Sequence, residues 1–179
     1  MMANAETREP WLRGTLQEIP AVHRAVLHSF EMAEEDLSRR CAELSLGEWN
    51  MRPGGLAGVA FHVRHIARSV DRLLTYAEGG SLNGEQTAKL KTEGAECIAI
   101  DKELAELRSA LENAARRVRA LIGEDLEAAR VVGRELLRTS LGGLLVHVAE
   151  HTQRHLGQAI TTAKLVRAWG SSVDPEEIA

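Results

Sequence analysis

The chain has 179 residues, 44% hydrophobic and only 3% aromatic, so its core must be built from Leu, Val, Ile and Ala. This length suits one domain with a substantial core, and this composition favours packed helices over a sheet sandwich. The formal net charge is −4 and no block of Lys or Arg is present. A nucleic-acid reader usually carries a basic stripe that neutralises phosphates, so we expect no nucleic-acid partner.

The N-terminal stretch has no apolar signal region, and no apolar run is long enough to span a bilayer. We therefore expect a cytoplasmic protein without a membrane segment. Two cysteines, Cys41 and Cys97, are too few for a disulfide framework, so we interpret both as reduced thiols and Cys41 as a small core residue. One domain is expected over residues 1–179, with its core at about 15–169, a polar lead in which Trp11 is a candidate anchor, and a C-terminal tail.

Four segments repeat apolar residues every three or four positions, which is the period of an amphipathic helix. The predicted helices cover residues 19–44, 56–78, 101–122 and 140–169. Glycines end the second, third and fourth of these, and Thr139 or Ser140 caps the start of the fourth. Residues 81–99 are predicted to be polar with one short helix near 85–90, and residues 124–138 to be a connector.

Helices that each carry one apolar stripe can bury those stripes together only as a bundle. The predicted fold is therefore all-α, a four-helix bundle, with connections long enough to cross its ends.

The fourth predicted helix contains His147, His151 and His155, spaced four residues apart. Residues four apart lie one above the other on a helix, so His151 and His155 can present two imidazoles to one divalent metal ion. At ~100° per residue, His155 lies about 60° from the middle of the apolar stripe, His151 about 100° and His147 about 140°. His147 is thus predicted to face outward. The alternative is that these histidines are polar flanking residues that bond to neighbours.

A third ligand must come from elsewhere, and the second predicted helix offers His62 and His65. The helical wheel slightly favours His62, and periodicity alone leaves the choice nearly even. His23 and His28, five apart on the first helix, lie on different faces and are interpreted as ordinary residues. A three-histidine site would leave an open coordination position, which is typical of catalytic rather than structural sites.

Two known metal motifs are excluded by the residues around these histidines. The zinc-protease motif needs Glu directly after its first His, and here Thr152 follows His151. The di-iron carboxylate bundle needs Glu-x-x-His on two helices, and neither histidine-bearing helix contains it.

The segments 58–71 and 150–158, with a His-x-x-x-His pair followed by Gly-Gln, resemble the DinB-like superfamily, over about residues 15–169. That superfamily groups damage-inducible DinB proteins with thiol-dependent transferases and isomerases. In that superfamily the first metal ligand is followed by an apolar residue, then by Ala and often Arg, with Asp three positions further on. In this chain the pattern falls on His65 and ends at Asp71. The resemblance implies a metal site of His65, His151 and His155, with His62 as the alternate first ligand. It also implies a divalent ion such as zinc or nickel, and a homodimer.

The activity implied by the resemblance is a thiol-dependent S-transferase or isomerase. A metal would favour the thiolate of a low-molecular-weight thiol, which is the nucleophilic form. The alternatives are a metal-dependent hydrolase and a non-catalytic metal-binding stress-response protein; a fourth protein ligand would favour the latter. The sequence assigns no catalytic residue or general base. Ser69, Arg72 and Tyr76 lie on the same side of the second helix as His65, and are candidates for the wall of a small-molecule pocket.

Overall fold

The computed structural model of the protein describes residues 8–41 and 43–170. These residues form helices joined by short connections, together with one small antiparallel sheet. The helices are α1 (Ala21–Cys41), α2 (Leu46–Asn50), α3 (Val59–Ala77), α4 (Gly84–Lys91), α5 (Ile100–Ala120) and α6 (Leu141–Gly170). Short 3-10 helices lie at Pro10–Leu12 and Pro53–Gly55. The prediction of an all-α fold is confirmed.

The four long helices α1, α3, α5 and α6 surround the hydrophobic core. Both α1 and α3 pack against α5 and α6, and the contact between α3 and α6 is the most extensive. The largest side chains of this core with almost no solvent exposure include Leu37, Val63, Ile66, Leu74, Leu107 and Leu145. The two helices that carry the candidate ligands therefore lie side by side. None of the described helices is both long and apolar enough to cross a lipid bilayer.

The long helices end within three residues of their predicted bounds, and Gly58 shows what fixes one of them. It is the N-cap of α3, and a Cβ placed there would lie 2.9 Å from the backbone oxygen of Met51. The close approach comes from α2, which begins with a capping box between Ser45 and Glu48. Trp49 of α2 is fully buried and donates from Nε1 to the Cys41 oxygen at 2.8 Å. The predicted connection before α3 is thus partly helical and packed onto the core.

The predicted connector at 124–138 is wrong in one respect, because it contains most of a β-hairpin. Strand β1 (Ala129–Val132) pairs antiparallel with β2 (Leu137–Ser140). Thr139 and Ser140 therefore both lie in β2. Of the two, Ser140 makes a helix-capping contact, since its Oγ accepts a hydrogen bond from the Gly143 N–H at 3.2 Å. Four-residue strands are too short to show an alternating pattern, and this is why periodicity missed them.

Other predictions for single residues have mixed outcomes. Trp11 is not an anchor, since it is 57% exposed and its Nε1 donates to Glu9 at 2.6 Å. Cys41 and Cys97 are free and buried, and burial raises the pKa of the Cys41 thiol to about 11. The short helix α4 lies where one was predicted. Residues 1–7 of the predicted lead and 171–179 of the predicted tail lie outside the described residues.

Candidate metal centre

Three histidines converge where α3 packs against α6. His65 comes from α3, while His151 and His155 lie one turn apart on α6. One ring nitrogen from each lies within 4.8 Å of the other two. His65 Nε2 lies 3.3 Å from His151 Nε2, and the ring centroid of His155 is 4.3 Å from that of His65. The residues predicted as ligands are therefore brought together in space.

The other two histidines of these helices lie beside this group. His62 is buried, and its Nδ1 lies 3.1 Å from His155 Nδ1, so the two rings are in contact. The side chain of His147 is 43% exposed and its Nδ1 lies 3.6 Å from Glu150. His147 thus faces outward, whereas His62 contacts one of the three converging rings.

The hydrogen-bond partners of Nδ1 assign the same tautomer to the rings of His65 and His151. His65 Nδ1 donates to Glu93 Oε2 at 2.7 Å. Ser69 Oγ lies 3.3 Å from His151 Nδ1 and donates its own hydrogen to the Ile66 oxygen, so it accepts from the ring.

The third ring has another imidazole beside its Nδ1, because His62 Nδ1 lies 3.1 Å from His155 Nδ1. His65 and His151 therefore carry their protons on Nδ1 and present lone pairs on Nε2.

This donor set fits a divalent metal ion. Two Nε2 lone pairs that face each other at 3.3 Å repel unless a cation lies between them. Bonds of about 2.0–2.1 Å to a tetrahedral zinc-sized ion place two ligand nitrogens about 3.3–3.4 Å apart. The separation of His65 and His151 agrees with that value. The carboxylate of Glu93 on His65 Nδ1 is also a partner of the kind found behind metal-binding imidazoles.

The surroundings of His62, His151 and His155 favour the neutral form of each of these three rings. Burial, and then repulsion from His65, lower the pKa of His151 to about 4 and that of His155 to about 3. The same two causes lower the pKa of His62 to about 4. A ring must be deprotonated to bind a metal, so these rings are ready to bind well below neutral pH.

Glu93, which was not predicted as a site residue, lies in the polar segment between α4 and α5. It is 4% exposed, and its Oε1 accepts from Arg72 Nη1 at 2.5 Å while Oε2 accepts from His65. Burial acts to raise the pKa of this carboxyl, but the hydrogen bonds from His65 and Arg72 outweigh it and hold the pKa below its usual value. No periodic pattern marks this residue, so no signal in the single sequence could have identified it.

Two of the three residues predicted to line a pocket contact the cluster or the carboxylate beside it. Ser69 contacts His151, and Arg72 contacts Glu93. Tyr76 is partly buried and packs against the hydrophobic core, so it is not in the cluster. Phe61, which was not predicted, stacks on the His65 ring with centroids 5.3 Å apart and planes at 13°.

Comparison with known proteins agrees with this geometry. The family profile described as the DinB superfamily matches residues 29–159, a span that contains all three converging histidines. Comparison with curated protein sequences finds no match. Because the family match covers well over half of the sequence, the chain belongs to the DinB superfamily.

Proposed function

We propose that the protein is a divalent-metal-dependent enzyme of the thiol-transferase or isomerase type, with His65, His151 and His155 as the metal ligands. The observation that carries the proposal is the convergence of one ring nitrogen from each of the three histidines, with a neighbour within hydrogen-bond distance of Nδ1 in every ring. His62 then acts as the support of His155 rather than as a ligand. Zinc and nickel are the expected ions.

The number of protein donors supports an enzyme over a structural metal site. Among residues 8–41 and 43–170, the group of side chains that could hold an ion contains three histidines and no carboxylate or thiolate. Three protein ligands leave a coordination position for a reactant. An ion in such a site lowers the pKa of a bound thiol and so favours the nucleophilic thiolate.

A cleft next to the cluster could accept the organic part of a small-molecule substrate. Phe61 forms part of its wall and also stacks on His65, so one side chain contacts both the cleft and the cluster. Its volume is about 440 Å³, and its other walls come from α2, the start of α3 and the segment at Gly94–Glu96. We also propose that the protein acts as a homodimer in the cytoplasm.

The test begins with protein purified without a nickel column, followed by elemental analysis. The proposal expects about one divalent ion per chain, and loss of a model electrophile only when a low-molecular-weight thiol is present. Protein without metal would refute it. Metal-loaded protein that hydrolyses model esters without thiol would favour the hydrolase. Metal-loaded protein inactive with every thiol would favour the non-catalytic alternative.

A further inference from the structure

Glu93 is a buried carboxylate with both oxygens committed. Its side chain is 5% exposed, one oxygen accepts from Arg72 Nη1 at 2.5 Å, and the other accepts from His65 Nδ1 at 2.7 Å. A buried carboxylate is costly unless it is paired and hydrogen-bonded. Arg72 supplies the opposite charge, which leaves the second oxygen to hold an imidazole.

The segment that carries Glu93 is held in place by contacts that do not involve the histidines. Arg64 Nη1 donates to the backbone oxygens of Glu93 at 3.0 Å and Ala95 at 2.6 Å. Asn50 Nδ2 donates to the backbone oxygen of Cys97 at 2.9 Å, and Asn50 Oδ1 accepts from the Cys97 N–H at 2.7 Å. The position of the carboxylate is therefore set by the fold, and it can orient His65 before any metal arrives.

The three candidate ligands differ in the charge of their Nδ1 partners. His151 faces the neutral hydroxyl of Ser69, and His155 faces the neutral ring of His62. Only His65 faces a carboxylate. A carboxylate behind an imidazole fixes its tautomer and orientation and makes its other nitrogen a stronger metal donor.

From this asymmetry we propose that Glu93, held by Arg72, is a positioning residue that fixes the Nδ1–H tautomer of His65 and strengthens His65 as a metal ligand. The inference rests on the proposed metal site for its effect on affinity, but the tautomer exists without metal. Glu93→Gln keeps the size of the side chain and an acceptor oxygen while removing the charge. We expect it to weaken metal affinity by about 10–100-fold.

The matched control is Glu106→Gln. Like Glu93, Glu106 forms an ion pair with an arginine of α3: its Oε1 lies 3.2 Å from Arg68 Nε. Unlike the pair of Glu93, this pair does not contact a histidine. We expect Glu106→Gln to leave metal affinity within about twofold of the wild type. Ser69→Ala removes a neutral partner and should reduce affinity less than Glu93→Gln does.

The experiment measures zinc affinity by competition with a chromophoric chelator, and the His65 tautomer in metal-free protein by ¹⁵N NMR of the imidazole nitrogens. We expect the Nδ1–H tautomer in the wild type and in Glu106→Gln, and a mixture of tautomers in Glu93→Gln. Equal zinc affinities for wild type and Glu93→Gln would overturn the proposal.

The wild-type tautomer gives a test even where Glu93→Gln does not fold. If His65 of the metal-free wild type carries its proton on Nε2, or exchanges freely between tautomers, the inference is wrong. A wild-type protein that shows the expected tautomer but binds no zinc would instead refute the proposed function.

Discussion

Arg64 provides a sharp test of what holds the segment carrying Glu93. Its side chain is 4% exposed and pairs with Glu103, with Nη2 to Oε1 at 2.5 Å and Nε to Oε2 at 3.2 Å. It also bonds two backbone oxygens of the segment between α4 and α5. Arg64→Met keeps much of the volume but leaves Glu103 without a partner in a poorly solvated position.

Removing one partner of a buried ion pair costs about 3–5 kcal/mol. The Glu103 side chain retains 14% exposure, so we expect the low end, about 3 kcal/mol. For a chain of this length the melting temperature should fall by about 6–12 °C. The assay is thermal and urea unfolding of metal-free protein followed by circular dichroism.

The matched control is Arg108→Met, because Arg108 pairs with Glu34 across α5 and α1 at 2.9 Å with side chains 55% and 37% exposed. An exposed pair contributes about 1 kcal/mol at most. Replacing Arg64 and Glu103 together by apolar residues should recover much of the loss, since no unpaired charge remains. Equal losses for Arg64→Met and Arg108→Met would refute the reasoning.

Three further predictions concern the histidines and the glycines. His155→Ala should lose most of its metal after dialysis while His147→Ala keeps it, as measured by elemental analysis; the reverse order would contradict the assigned helix face. The low pKa values of His151 and His155, about 4 and 3, mean that below about pH 6.5 the unfolded chain takes up protons that the folded chain does not. Stability of the metal-free protein is therefore complete above that pH and falls as pH drops toward 3, and denaturant titrations that show no loss between pH 7 and pH 5 would contradict this. Gly58→Ala places a Cβ 2.9 Å from a backbone oxygen and should cost about 1–3 kcal/mol. Gly157→Ala on α6 should be neutral or slightly stabilising in the same unfolding assay. A Cβ placed there would have no atom within 4 Å beyond the neighbouring backbone of its own helix.

The sequence was sufficient for the long helices because each buries one stripe of apolar residues with helical period. It was also sufficient for the convergence of His151 and His155, since a spacing of four residues places two rings on one face. The helical wheel favoured His62 over His65, and His62 is indeed the more buried of the two. A helical wheel, however, ranks residues only by how closely they face the core. The ring that converges with His151 and His155 is that of His65, which is more exposed than His62. Only the family resemblance pointed to His65.

The features that the sequence did not reveal depend on contacts between distant segments. Glu93 lies 28 residues from the histidine that it contacts and in a segment without periodicity. The β-hairpin before α6 is built from two strands of four residues each, and its pairing is set by register rather than by a local pattern. Such contacts follow from how α3, α5 and α6 pack, which single-sequence periodicity does not describe.

The measurement that tests the central claim most directly is X-ray absorption spectroscopy of the zinc-loaded protein. The three-histidine site predicts about three imidazole nitrogens and one further light atom at 2.0–2.1 Å from the ion. It also predicts that His65→Ala, His151→Ala and His155→Ala each lose imidazole scattering, whereas His147→Ala does not. For protein prepared without added thiol, a spectrum with sulfur near 2.3 Å would contradict the account. A spectrum unchanged by removal of His65 and of His155 would contradict it as well.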